Sequence, residues 1–188
     1  MWRRSLATRR LHPLKRWLLF INIVGGLGVL GSYAWGLITH PGSGASLWGR
    51  TPEAWQRLST ANMLPAALGY MAFTTFLLLQ PHPERMRIFG RPGYGSLLWL
   101  YAAVLLPSAA WMPLTFAALA SPSPALVWTI RSVLALIGLG SIGLLLAIGS
   151  FRVRRPVWAW RLAFIGCAVF CLQTVVFDAV IWSVYFNP

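Results

Sequence analysis

The chain has 188 residues, of which 57% are hydrophobic and only 10% charged, with 16 Lys and Arg against 3 acidic residues, a formal charge of +13. A soluble domain carries about a quarter charged residues, so this composition excludes one and describes an integral membrane protein. The basic excess lies beside apolar runs and has no recognition motif with it, so it is read as membrane topology and not as nucleic-acid binding.

Residues 1–16 form a basic segment without acids (Arg3, Arg4, Arg9, Arg10, Lys15, Arg16). The apolar run that follows, 17–38, exceeds a signal-peptide core and is expected to remain as the first span. Further runs of about the 20 residues that a bilayer core requires fall at 60–80, 96–120, 125–150 and 157–185. The fold class expected is therefore all-α: a polytopic membrane protein whose single domain, 17–188, is a five-helix transmembrane bundle. The basic residues collect at the amino terminus, in the 81–94 connection (Arg85, Arg87, Arg91) and in the 151–156 turn (Arg152, Arg154, Arg155). The positive-inside rule then places the amino terminus in the cytoplasm and the carboxyl terminus outside, with a bacterial inner membrane as the expected location. Tryptophans near both predicted surfaces (17, 99, 158, 160 and 35, 111, 128, 182) read as an aromatic belt.

The connection 39–59 is expected on the outer side and contains Trp48 and Trp55. Either it folds back onto the bundle or its TPEAWQRL stretch is a short interfacial helix with Thr51 as N-cap and Pro52 at N1. Gly25, Gly28, Gly31 and Gly36 in the first span, and Gly138, Gly140, Gly143 and Gly149 in the fourth, suit close helix packing; making room for a ligand is the alternative. The third run carries Pro107 and Pro113 with Trp111 between them. Proline removes a backbone hydrogen bond and bends a helix, so this span is expected to be shaped around something and to sit in a bundle.

Chemistry-bearing residues are sparse. Asp178 is the one carboxylate within a span, a functional candidate because it costs about 2.5–3.5 kcal/mol to insert. Arg131 falls at a similar depth, roughly 10 Å from the predicted outer surface against roughly 13 Å for Asp178. The two are expected either to pair, clamping the fourth span to the fifth, or to contact a ligand's polar group together. Cys167 and Cys171 read as buried small hydrophobes. His12, His40 and His82 fall outside the predicted spans, so no haem ligation within the bundle is expected, and no metal site. Without a phosphate loop, GxSxG, HExxH or a carboxylate pair, no catalytic machinery is visible.

Tyr101-x9-Trp111-x-Pro113-x2-Phe116 resembles the third helix of the TspO/tryptophan-rich sensory protein (translocator protein) family. Leu64-x2-Ala67-Leu68-Gly69-Tyr70 is similar to its second helix, and Gly25-Gly26 and Ala159-Trp160-x2-Ala163-Phe164 to stretches of its first and fifth. Val104 and Ser108 stand where that family favours Gln and Asn. The resemblance implies a five-helix bundle binding porphyrin or sterol-like molecules beneath the first loop, with Tyr101, Trp111, Pro113 and Phe116 shaping the pocket. Together with Trp48, Trp55, Arg131 and Asp178 these are the candidate ligand-binding residues. The function expected is non-catalytic binding of an apolar or tetrapyrrole/sterol-like ligand at the outer end of the bundle; the alternative is a small accessory subunit of a larger membrane complex. The expected partners are the lipid bilayer and either further copies of the chain or a larger assembly.

Overall fold

The computed structural model describes residues 12–81, 83, 87–88, 91–151 and 156–188. Most of the basic amino-terminal segment, His82, Glu84, Arg85 and the 152–155 arginines lie outside the described residues. The architecture is an all-α five-helix bundle, and five helices are long and apolar enough to cross a membrane. It is an integral membrane protein.

The helices are α1 (Pro13–Thr39), α2 (Glu53–Leu79), α3 (Tyr94–Ala120), α4 (Pro124–Gly149) and a fifth span that starts as α5 (Val157–Cys171). Their starts follow local chemistry. His12 caps α1 by accepting from the Leu14 N–H, with Pro13 in the first turn. Ser123 caps α4 by accepting from the Leu126 N–H at 3.2 Å, with Pro124 behind it. Proline at these positions sacrifices an N–H that has no helical partner anyway. Both internal prolines of α3 are carried within one unbroken helix. A two-residue antiparallel pair, β1 (Arg87–Ile88) with β2 (Arg91–Pro92), closes the connection before α3.

Two boundaries differ from expectation. α2 begins at Glu53, so Trp55 belongs to the second span and not to a separate interfacial helix. The connection that remains, 40–52, contains a 3-10 turn, Ser46–Trp48. Thr51 does not cap α2: the first helical N–H groups, Trp55 and Gln56, reach the Pro52 carbonyl, and the Thr51 hydroxyl is buried without a partner. The second difference is in the fifth span. After Cys171 the helix widens into a π-helical segment, Leu172–Trp182, before a closing α-turn, Ser183–Tyr185. π-helix is uncommon and tends to occur at functional sites.

α1 packs along α3, α3 along α4, and α4 along the fifth span, which α2 covers from the other side. α1 meets α2 only slightly. This seam is bridged in mid-bundle by Tyr70, whose hydroxyl donates to Asn22 Oδ1. The core there is aromatic: the Tyr70, Phe73, Tyr101 and Phe170 rings meet at centroid distances of 5.2–6.2 Å. The tightest crossing is α2 on α5, where a Cβ on Gly69 would lie 2.3 Å from the Gly166 carbonyl oxygen. The glycines of the first span are divided. Gly25 and Gly36 press on Leu105, Met112 and Phe116 of α3, whereas Gly26 and Gly31 face open space.

Candidate functional site

α1 and α3 end, and α2 and α4 begin, at the end of the bundle that also holds the 40–52 connection and the carboxyl terminus. Most of the candidate residues gather at this C-terminal end. Trp111 sits between two rings, Tyr33 of α1 at 5.7 Å and Trp182 of the fifth span at 5.5 Å. Trp182 in turn stacks on Phe186 at 4.2 Å and donates its indole N–H to the Leu47 carbonyl at 2.8 Å. That bond ties the connection to the last span, and a second, from the Arg50 N–H to the Tyr185 carbonyl, reinforces it. Between them Gly49 has φ +54° with its α-carbon against Phe186, a conformation and a closeness that suit a residue without a side chain. The connection thus folds back onto the bundle, and Trp48 packs half-buried against the core. Trp111 and Trp182 are interior packing residues and not members of the aromatic belt, unlike Trp99, Trp128 and Trp158, which are widely exposed.

Two residues expected at this site are elsewhere. Tyr101 is fully buried in mid-bundle, where its hydroxyl shares a hydrogen bond with Thr74 at 2.8 Å. Ten residues separate it from Trp111, about 15 Å of helix at ~1.5 Å per residue. Pro113 is exposed on the outside of α3. Two residues are about 200° of helical turn, so the rotation that points Trp111 inward points Pro113 away. Phe116 is buried at this end as expected, stacked on the His40 ring at 3.9 Å. His40, which closes α1, is a site-end aromatic that sequence reasoning passed over because it lies beyond the apolar run.

Arg131 and Asp178 do not pair. Arg131 donates from Nε to the Ser183 carbonyl at 3.1 Å and lies over the Trp128 ring, its guanidinium carbon 5.1 Å from the centroid. Asp178 instead accepts from Gln173 Nε2 at 2.9 Å. The cause is the π-helical winding. Five residues on an α-helix are about 140° apart and do not meet, whereas a helix bonded i→i+5 brings them onto one face. The side of the fifth span toward α4 is taken by Thr174, Val175 and Ala179, which surround Gly138.

Gln173 is the hub of a polar group that the sequence did not reveal. Besides Asp178 its amide donates to Ser59 Oγ at 3.1 Å, and its oxygen accepts from Asn62 Nδ2 at 3.1 Å. Asn62 also reaches the Val169 carbonyl at 3.4 Å. The signal available was two amides within the predicted spans, Asn62 and Gln173, with Ser59 at the end of the 39–59 connection, but their spacing showed nothing without the winding. Gln173→Leu is expected to lower stability by about 2 kcal/mol in a detergent unfolding titration, because one change strands Ser59, Asn62 and Asp178 together.

Tyr33 lies within electrostatic range of Asp178 and is 38% exposed at the α1 side; Trp55 of α2, 39% exposed, faces Phe177 with 6.5 Å between centroids. Tyr33 of α1 is thus in electrostatic range of Asp178, and Trp55 of α2 meets Phe177, the chain neighbour of Asp178. The indole N–H of Trp111, beside Tyr33, is buried and has no hydrogen-bond partner. Among the described residues no three of His, Cys, Asp and Glu stand together as metal ligands. Comparison with protein-family models, with curated proteins and with solved structures gives no match.

Proposed function

We propose that this integral membrane protein binds an apolar or amphiphilic polycyclic ligand, of tetrapyrrole or sterol type, at the C-terminal end of its bundle, and that it does so without catalysis. In this reading the C-terminal end faces the outside of a bacterial inner membrane, following the charge asymmetry of the connections. The observation that carries the reading is the buried, unpartnered indole N–H of Trp111 within an aromatic cluster whose Tyr33 lies within electrostatic range of Asp178. A buried donor left unmade costs about 1–3 kcal/mol, so its retention is explained if a ligand's acceptor completes it. Flat aromatic walls with few convergent polar groups are the usual make-up of a site for such molecules. The spacing of Trp111 and Phe116, which resembles the tryptophan-rich sensory protein family, supports the same assignment.

The test is quenching of intrinsic tryptophan fluorescence in purified protein titrated with protoporphyrin and with a fluorescent sterol. Trp111→Phe keeps a ring and removes the donor, so affinity for the bound probe is expected to fall about tenfold while the fold is kept. Absence of quenching by either probe, with stoichiometric co-purifying subunits, would overturn the reading in favour of an accessory role. One observation favours that second reading. α1 packs mainly on α3, and beyond it Trp17, Phe20, Ile23, Leu27 and Leu30 are exposed along an open side that includes a groove of about 710 Å³.

A further inference from the structure

The charge balance around Asp178 is incomplete. Glu53 is paired, with Arg57 at 2.9 Å, but on the exposed first turns of α2. Arg131, the cation at comparable depth, spends its guanidinium on a backbone carbonyl and on Trp128. Among the described residues nothing cationic meets the Asp178 carboxylate, and one hydrogen bond from a neutral amide is what holds it. A lone carboxylate in a span is expensive and is a functional-site candidate by default, and a ligand's cation is a partner that would offset that cost. Gln173 is in no position to compete for that partner. Its oxygen and both amide hydrogens are used by Asn62, Ser59 and Asp178, so it orients the carboxylate. Asn62 has both donors committed, to Gln173 and to Val169, and turns only its carbonyl oxygen to further contacts. Asp178 and the Asn62 oxygen are thus left with acceptor capacity. Tyr33, whose ring meets Trp111 at 5.7 Å, lies within electrostatic range of Asp178, and π-faces attract cations at short range.

We propose that the ligand bound at this end carries a protonated amine, and that Asp178 is the ammonium site. This rests on the ligand-binding role proposed above and narrows its class: an amphiphile whose apolar body lies among the C-terminal aromatic residues and whose amine enters through the α1–α2 seam. Access from the lipid is consistent with the partial exposure of Tyr33 and Trp55 on the two sides of that seam. Anionic side chains such as carboxylates meet repulsion at the same point, so amine-bearing members of the polycyclic class are preferred over acidic ones. The π-helical winding has a function in this scheme. It brings Gln173 under Asp178, so the carboxylate is held by a neutral amide of its own span and not by Arg131 of α4.

The test uses two steroids of one ring system, a 3-aminosteroid and its 3-hydroxy counterpart, in equilibrium binding to the full chain in lipid nanodiscs. The wild-type chain is expected to bind the amine about ten- to a hundredfold more tightly, the range for a charge-assisted bond. Asp178→Asn keeps an acceptor for Gln173 and removes the charge; it is expected to abolish that preference, read as the ratio of the two affinities within the same variant. Equal affinity of the two steroids for the wild type overturns the ammonium site while leaving the ligand-binding role standing. Binding of neither overturns both. The steroid comparison is made on the unaltered chain, so it decides even if Asp178→Asn does not assemble. Retained amine preference in a folded Asp178→Asn protein assigns the amine to other groups and overturns the role of Asp178.

Discussion

Gly166→Leu is expected to prevent recovery of a monodisperse protein, and Gly166→Ala to lower its stability by about 1–3 kcal/mol, the range for overpacking. The reason is a backbone contact. A Cβ on Gly166 would lie 2.8 Å from the Gly69 α-carbon, and one on Gly69 would lie 2.3 Å from the Gly166 carbonyl oxygen. Neither neighbour is the flexible tip of a side chain, so the only relief is separation of α2 from α5. In a membrane, helix association depends on such close approach, because lipid tails are as apolar as the side chains that would replace it. The loss would not stay local. Asn62 and Gln173 lie seven residues from Gly69 and Gly166, two turns toward the C-terminal end, and their bond requires the same helix separation. Size-exclusion profiles and unfolding titrations of the two variants check this, and a Gly166→Leu protein as stable as its parent would refute the contact.

The second large effect is expected at Trp182. Trp182→Ala should cost about 3–5 kcal/mol, as for other buried aromatic truncations. It removes the stack on Phe186, the edge contact with Trp111 and the hydrogen bond to Leu47 at once. Trp182→Phe keeps a ring and loses the hydrogen bond, for about 1 kcal/mol. The two variants separate packing from tethering. Amide exchange at 40–52 should accelerate in both, since both release the Leu47 carbonyl, whereas a drop in global stability of several kcal/mol is reserved for alanine. Unchanged exchange in Trp182→Ala would show that the Arg50 to Tyr185 bond and the Gly49 contact hold the connection by themselves.

Sequence and structure agree where the signal is additive along the chain. The five apolar runs and the helices coincide within a few residues except at α2, which starts at Glu53. There the polar first turns, EAWQRL, resemble a loop by hydropathy, yet the proline before them and the acid in the first turn are helix-starting residues. The family resemblance groups Tyr101 and Pro113 with Trp111, and three-dimensional helix geometry separates them, one by depth and the other by rotation. Gly69 and Gly166 stood outside the glycine-rich spans, so the closest crossing in the bundle left no compositional trace.

What the sequence by itself determined is the class and its scale: an integral membrane protein of five helices, with one carboxylate and few other polar groups inside them. Hydropathy sums over many residues, and no single contact can reverse it. What only the tertiary structure decided is which polar groups meet. Asp178 turns to Gln173 and not to Arg131 because the helix bonds i→i+5 between Leu172 and Trp182, a change of winding that hydropathy summed along the chain does not register.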